Sequence, residues 1–188
     1  MRKLFAVGLL LAILGIAPLA KAQEQTPILE LYGGYDYARY NANPRIMGVP
    51  PSESDNANGG TAQVAFNANK WLGLVADFSG YAVVRQGFAT THEISYLFGP
   101  RFNLRRGRFT PFAQVLLGRV WAEDGLVLGT VTAFGMTAGG GLDVRVSKHV
   151  AIHPVQAEYF LTKFQDGNND RQNNFRYSAG IVLRLGGG

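Results

Sequence analysis

Hydrophobic and polar residues alternate one by one along the last stretch of the chain, Phe175 to Leu185. The apolar set is Phe, Tyr, Ala, Ile, Leu and Leu, and the intervening positions include Arg176, Ser178 and Arg184. A period of two predicts a β-strand, because successive side chains of a strand point to opposite faces. Arginine side chains cannot enter a dry core without a large desolvation cost. The polar face of this strand is therefore expected to meet water or to line a polar interior.

The same alternation recurs through most of the chain and predicts eight strands. They are expected at residues 28–40, 60–69, 71–84, 92–103, 109–122, 133–146, 149–163 and 175–185. For 109–122 the pattern does not decide which face points inwards, because Gln114 and Arg119 fall on opposite faces. Pro154 indicates a bulge, of undetermined position, in the seventh strand. Strands of about 10 to 14 residues are long enough for tilted membrane crossings, which need roughly 9 to 11.

The segments between the predicted strands alternate between longer and shorter ones. The longer connectors are Asn41 to Gly59, Arg85 to Thr91, Glu123 to Thr132 and Phe164 to Asn173, and the shorter ones are Asn69-Lys70, Leu104 to Arg108 and Ser147-Lys148. No separate apolar core remains, so the apolar faces are expected to contact lipid. The sequence therefore predicts an all-β fold, an eight-stranded antiparallel up-and-down transmembrane β-barrel. Its short turns and both termini would lie on the periplasmic side, and its longer loops outside.

Charged residues recur on the predicted inward faces of the strands. They are Glu30, Asp36, Asp77, Glu93, Arg101, Asp143, Arg145, Glu158, Arg176 and Arg184. Paired carboxylates are also the groups that perform acid–base chemistry. However, an eight-stranded barrel is only wide enough for side chains to fill it, and buried charges must be paired. We therefore expect a structural ion-pair network that closes the lumen, with no catalytic residue and no open pore.

Aromatic residues cluster towards the two ends of the predicted strands. Those near the longer loops are Tyr35, Tyr37, Tyr81, Phe88, Trp121, Tyr159, Phe175 and Tyr177, and those near the short turns are Trp71, Phe102, Phe109 and Phe112. Lipid headgroup regions favour aromatic side chains at both membrane interfaces. The positions therefore predict two interfacial aromatic girdles. A β-sandwich with an aromatic core is the alternative interpretation.

The beginning of the chain has the pattern of a secretory signal peptide. Arg2 and Lys3 precede an apolar run, Leu4 to Ile16, and Ala20-Lys21-Ala22 fits the small-x-small cleavage rule. The apolar run is shorter than the ~20 residues of a spanning helix. We therefore expect a cleaved signal peptide at 1–22 and a barrel domain at 23–188.

Charge and composition exclude several other classes of protein. Without the signal peptide, 15 of the 18 basic residues would remain against 13 acidic ones, so no nucleic-acid partner is expected. The chain contains no cysteine, which excludes disulfides and a lipid-modified amino-terminal cysteine. His92-Glu93 lacks the second histidine of a zinc helix motif, and no cofactor or metal site is predicted.

Several stretches resemble the small eight-stranded outer-membrane β-barrel family, which includes the transmembrane domain of outer membrane protein A and the barrels of the OmpX and Ail kind. They are Leu29-Glu-Leu-Tyr-Gly-Gly-Tyr35, Phe98-Gly-Pro-Arg-Phe102 and Gly139-Gly-Gly-Leu-Asp143. The last strand is similar to the family's assembly signal at Ser178, Gly180, Leu183 and Leu185, although three glycines follow where the family usually ends on an aromatic residue. The resemblance covers nearly everything from Ile28 to Leu185.

The resemblance implies a monomer in the bacterial outer membrane, exported through the inner membrane. Outer-membrane lipids and, during biogenesis, the barrel-assembly machinery are the implied partners. The implied role is structural or adhesin-like, through extracellular loops that contact an unknown surface partner, chiefly Asn41 to Gly59. An enzyme is not expected.

Two further functions stay open at this point. A secreted soluble barrel that carries a small apolar ligand, as lipocalins do, would need its apolar residues inside. A lipid A-modifying barrel enzyme would depend on His92 and Ser95, whose odd spacing puts them on opposite faces of one strand.

Overall fold

The computed structural model describes residues 26–40, 55–84, 90–123, 130–163 and 172–186 and forms a closed barrel. The strands are β1 (Leu29–Tyr40), β2 (Asp55–Asn67), β3 (Leu72–Val84), β4 (Thr90–Asn103), β5 (Phe109–Glu123), β6 (Thr130–Arg145), β7 (Val150–Lys163) and β8 (Gln172–Leu185). Among these residues there is no helix with the length and hydropathy for a membrane crossing.

Each strand pairs antiparallel with its neighbours in sequence, and β1 also pairs with β8. In the closing seam Leu29 pairs with Leu185 and Arg39 with Phe175, so the seam runs along almost all of both strands. Closure leaves no unpaired sheet edge among the eight described strands. The predicted eight-stranded up-and-down barrel is confirmed, and the alternative β-sandwich is wrong.

Apolar side chains cover the outside of the barrel and polar ones line much of its inside. Leu74, Phe98 and Ile181 are all at least half exposed, at 60%, 51% and 55%, whereas Arg101 and Arg176 are almost completely buried. This is the inverse of the distribution that a soluble ligand-carrying barrel requires. The structure also shows which face of β5 points inwards. Gln114 is buried in the lumen, and Arg119 is exposed on the outside.

Four strands begin earlier than the alternation predicted. The largest difference is in β2, which starts at Asp55, so that residues 55–59 of the predicted loop Asn41 to Gly59 are strand. The sequence signal is weak there because the outward residues are asparagines. Asn56 and Asn58 accept hydrogen bonds from Tyr37 and Tyr35 of β1, which satisfies them on the outer surface. The rest of that loop, residues 41–54, lies outside the described residues.

β4, β6 and β8 start at 90, 130 and 172, two or three residues before the predicted starts. The remaining parts of the predicted loops, 85–89, 124–129 and 164–171, also lie outside the described residues.

The bulge indicated by Pro154 lies between His153 and Gln156, where the register of β7 against β8 shifts. A second shift opposes it between Leu142 and Val144, where β6 pairs with β7. Proline cannot donate to the ladder, and a bulge lets the strand continue without that hydrogen bond. The bulge also turns both His153 and Gln156 into the lumen, where each is buried.

Gly118 of β5 lies where two strands approach too closely for a side chain. A Cβ at this position would stand 2.0 Å from the carbonyl oxygen of Tyr96 on β4. We expect Gly118→Ala to lower the free energy of unfolding by about 1–3 kcal/mol, because the strands must separate. Urea titration of refolded protein in micelles measures it. Gly80→Ala is the control, since no atom lies within 4 Å of a Cβ there. Equal losses in both variants would contradict the steric explanation.

Candidate functional site in the barrel lumen

Arg176 of β8 is the centre of the polar contacts in the lumen. Its Nε donates to Glu158 Oε2 at 2.7 Å, and Nη1 donates to Asp77 Oδ1 at 3.1 Å and to Ser79 Oγ at 3.0 Å. Nη2 donates to Asp77 Oδ2 at 3.1 Å. The carboxylate of Asp36 lies 3.7 Å from Nε. One guanidinium therefore contacts carboxylates from three strands, β1, β3 and β7.

The hydrogen bonds continue from Arg176 around the barrel and return to it. We call this closed cycle the lumen ring; it consists of Arg176, Asp77, Gln63, Arg101, Gln114 and Glu158. Gln63 Nε2 donates to Asp77 Oδ2 at 2.8 Å, and Arg101 donates to Gln63 Oε1 and, at 2.8 Å, to Gln114 Oε1. Gln114 Nε2 then donates to Glu158 Oε1 at 2.8 Å. The ring joins side chains of six strands across the lumen.

The two glutamines of the ring link Arg101 to the carboxylates. The guanidinium of Arg101 also stacks on the aromatic side chain of Phe112, with its Cζ 4.3 Å from the centroid of the phenyl group. Gln63 and Gln114 were not among the predicted network residues. An amide can accept from a guanidinium with its oxygen and donate to a carboxylate with its nitrogen. Their inward position in the alternation and this dual chemistry are the signals that could have identified them.

A second polar cluster closes the lumen at the end from which the short connectors leave. Glu30 accepts from Arg184 Nε at 3.2 Å, from Arg105 Nη1 at 3.2 Å and from Asn67 Nδ2 at 3.1 Å. Arg145 faces the same end and is half-buried. Arg105 was not predicted because it lies in the short β4–β5 connector, where basic residues are normally exposed. Its side chain instead enters the barrel mouth and is 4% exposed.

Asp143 pairs with a histidine that the sequence did not implicate. His153 Nδ1 lies 2.6 Å from Asp143 Oδ1. The imidazole is buried between two rings, with centroids 4.6 Å from Tyr32 and 5.4 Å from Phe112. The bulge in β7 turns this histidine into the lumen, and a simple alternation does not predict its partner.

The opposite half of the lumen is mainly apolar and aromatic. We call this layer the apolar plug; it consists of Tyr40, Tyr81, Leu97, Leu116, Val120 and Phe160, all buried and in one cluster. On β3, β4, β5 and β7 the plug residues lie closer than the lumen-ring residues to the barrel end from which the longer connectors leave. Glu93 lies in this half and accepts from Tyr40 Oη at 2.7 Å. Among the described residues, no arginine pairs with Glu93, so it stands apart from the lumen ring.

Three polar residues on neighbouring strands lie beside the lumen ring but are not part of it. Gln156 pairs with Ser178, and Ser178 pairs with Asp36, so their side chains form a row across β7, β8 and β1. Both polar atoms of the Gln156 amide, Ser178 Oγ and Asp36 Oδ1 are buried with no hydrogen-bond partner among the described groups. Gln156 is therefore buried polar surface that contributes no bond to the lumen ring.

The predicted aromatic girdles need two corrections. Tyr81 and Phe112 point into the lumen, where they are 3% and 6% exposed. Each lies an odd number of residues from the outward-facing aromatic residues of its own strand and therefore falls on the opposite face. Phe88 lies outside the described residues. The other predicted girdle residues face outwards on the strands or connectors; they are Tyr35, Tyr37, Trp71, Phe102, Phe109, Trp121, Tyr159, Phe175 and Tyr177. Both ends of the barrel thus keep outward aromatic side chains.

The remaining candidate residues lie apart from one another. His92 is exposed on the outside of β4, whereas Ser95 is buried inside. Within the described ranges, no three His, Asp or Glu side chains cluster closely enough to hold a metal ion. Of the predicted assembly signal, Ser178 and Gly180 face the lumen, and Leu183 and Leu185 face outwards.

Solved structures of known barrels share this fold at low sequence identity. Neisserial surface protein A superposes with a TM-score of 0.62 and 14% identity, over 86% of this chain and 100% of that one. Ail of Yersinia pestis gives 0.53 and 15%, over 85% and 99% of the two chains. The N-terminal barrel of Pseudomonas aeruginosa OprF gives 0.54 and 10%, over 86% and 100%. No curated protein matches the chain in sequence.

The sequence itself matches one family model over most of its length. The model describes an outer membrane protein beta-barrel domain and matches residues 7–182. The closed eight-stranded barrel, its apolar outer face and its polar lumen agree with that match. The chain therefore belongs to the outer membrane protein beta-barrel domain family, whose members are β-barrels of the bacterial outer membrane.

Proposed function

We propose that the protein is a closed barrel without a through-channel, acting as a structural element of the outer membrane that displays its outer loops to a surface partner. The lumen ring is the observation that carries this proposal. Six hydrogen-bonded side chains cross the lumen, and the apolar plug lies above them. Ions would have to pass both a paired-charge layer and an apolar layer, and hydrophobic constrictions exclude water.

Conductance of pure protein in planar bilayers tests the closed lumen. The expected result is no steady conductance above that of the protein-free bilayer, because both layers must be disrupted to form a pore. Folded protein, recognised by its protease resistance, must be present in the same membrane. A large steady conductance from such protein would contradict the proposal.

The surface role rests on the segments at the outer end, 41–54, 85–89, 124–129 and 164–171. Among solved structures, Ail of Yersinia pestis has been determined with the heparin analogue sucrose octasulfate, at a TM-score of 0.55 and 14% identity. In this chain the four segments carry three basic and four acidic residues. This balance does not favour a polyanion, so we propose a partner that is recognised through neutral polar and apolar contacts.

Intact cells that display the protein test this role, because the periplasmic end is then hidden. Cells with the protein are expected to adhere to host cells or matrix better than cells whose segment 41–54 is replaced by a short Gly-Ser linker. Heparin is expected not to compete. Equal adhesion by both strains, with equal surface amounts of protein, would refute the adhesin-like role and leave the structural one.

A catalytic role is not proposed for this barrel. The two ring carboxylates, Asp77 and Glu158, both accept hydrogen bonds from Arg176, so neither is placed as a general base. His92 and Ser95 face opposite sides of the barrel wall. Unchanged lipid A in cells that express either the wild type or His92→Ala would agree with a non-enzymatic barrel, and a difference that depends on His92 would contradict it.

A further inference from the structure

Exposed basic side chains surround the barrel end that carries both termini of the described chain. They belong to the three short connectors at this end, residues 68–71, 104–108 and 146–149, and are Lys70, Arg106, Arg108 and Lys148. We call these four residues the basic rim. The three connectors contain no Asp or Glu. None of the four forms an ion pair with another residue in the described part of the chain.

The connector between β4 and β5 fixes two of these cations in position. Arg106 and Phe109 exchange backbone hydrogen bonds of 2.8 and 3.0 Å, and Gly107 has a φ of 60°, as a tight turn requires. Arg105, between this turn and β4, is anchored inside the mouth by Glu30. Arg106 and Arg108 are therefore held on a short, rigid turn and not on a flexible loop.

Exposed apolar side chains indicate the depth of the basic rim relative to the membrane. Trp71, Leu104 and Val146 are 56%, 52% and 63% exposed, and each stands in one of the three connectors. Trp71 stacks on Phe102 of β4 with ring centroids 6.2 Å apart. Exposed tryptophan and aliphatic side chains at a strand end belong at the membrane interface. The neighbouring cations then lie at the level of the lipid headgroups.

We propose that the basic rim binds the phosphate groups of anionic phospholipids, such as phosphatidylglycerol, in the membrane leaflet that faces the periplasm. Short turns mark the periplasmic end of an outer-membrane barrel, which assigns the leaflet. Basic residues near a membrane surface attract anionic headgroups. The four cations are spread over three connectors around the circumference, each beside an apolar residue that contacts lipid. This arrangement fits a shell of headgroups better than one soluble polyanion.

Spin-labelled lipids in vesicles of phosphatidylcholine and phosphatidylglycerol test the proposal with the refolded full chain. Electron paramagnetic resonance measures the share of each lipid that the protein immobilises. We expect wild type to immobilise phosphatidylglycerol severalfold more than phosphatidylcholine. Arg106→Gln/Arg108→Gln should remove most of this preference, because each basic residue near a membrane surface adds to the attraction of anionic headgroups. High salt should weaken it, and free inorganic phosphate at matched ionic strength should not displace the lipid.

Two control variants separate the rim from overall charge. Arg106→Lys/Arg108→Lys keeps the charge and should keep most of the preference. Arg119→Gln/Lys163→Gln removes two exposed cations at the opposite end and should reduce it less than the rim variant does. An absent preference in wild type, or equal reductions from changes at both ends, would overturn the proposal. Tighter binding to soluble polyglutamate than to phosphatidylglycerol vesicles would also overturn it, in favour of a periplasmic polyanion.

Discussion

Replacing Arg176 with methionine is expected to lower the free energy of unfolding by about 3–5 kcal/mol, or to prevent folding. Arg176 is the cation that contacts Asp77, Glu158 and Asp36 in the lumen. Removing it leaves three buried carboxylates near one another without the cation that lies between them, although Asp36 keeps the hydrogen bond that Tyr81 Oη donates to it at 2.7 Å. The loss is large because an uncompensated buried charge costs more than the original pair contributes. Urea titration in lipid vesicles, followed by tryptophan fluorescence, measures the change.

Gln156→Met is the matched control for this variant. Gln156 is also fully buried in the lumen, but neither of its polar side-chain atoms bonds a described group. Its replacement by a side chain of similar length should leave stability unchanged or raise it, because a buried unpaired amide costs about 1–3 kcal/mol. Adding Asp77→Asn and Glu158→Gln to Arg176→Met should recover part of the stability. A stable Arg176→Met protein would show that the lumen ring does not hold the strands together.

Leu117→Arg is expected to destabilise the barrel by about 2–4 kcal/mol in a bilayer. Leu117 lies near the middle of β5 and is 48% exposed on the outer face. If that face contacts the hydrocarbon core, the guanidinium must enter an apolar medium or distort the lipid around it. The same substitution on a water-facing surface would cost little.

Val146→Arg is the control for the lipid-facing position, because Val146 is exposed in the connector after β6. Near the interface the expected cost is about 0–1 kcal/mol. Both variants are unfolded with urea from vesicles of the same lipid and compared with wild type. Equal costs at the two positions would be inconsistent with a membrane around the middle of the barrel.

The faces of the strands could be predicted from the sequence because alternation is a local property. Phe175 to Leu185 needs no information from other strands to separate its arginines from its aromatic residues. The inward face of β5 could not be predicted in this way. Its two polar residues, Gln114 and Arg119, lie on opposite faces, and each is acceptable in a membrane barrel on the face it occupies. One fills the lumen, and the other lies near the outer interface where a long cation reaches water.

The partners inside the lumen could not be predicted, because they depend on how eight strands are staggered around the barrel. Glu93 and Glu158 look alike in the alternation, yet one accepts from Tyr40 among apolar side chains and the other from Arg176. Arg105 enters the mouth from a connector, where no periodic pattern assigns a face. The early start of β2 could not be predicted either. The outward residues there are asparagines, which accept hydrogen bonds from tyrosines of β1, so the alternation of hydrophobic and polar residues is absent.

The most direct test of the central claim, a closed barrel that crosses the membrane through its apolar outer face, is gel migration of refolded protein with and without boiling. The predicted result is a folded form that migrates differently from the boiled form and resists protease only when detergent or lipid is present. A protein that folds and stays monomeric in plain buffer would contradict the claim, because its outer face would then be compatible with water.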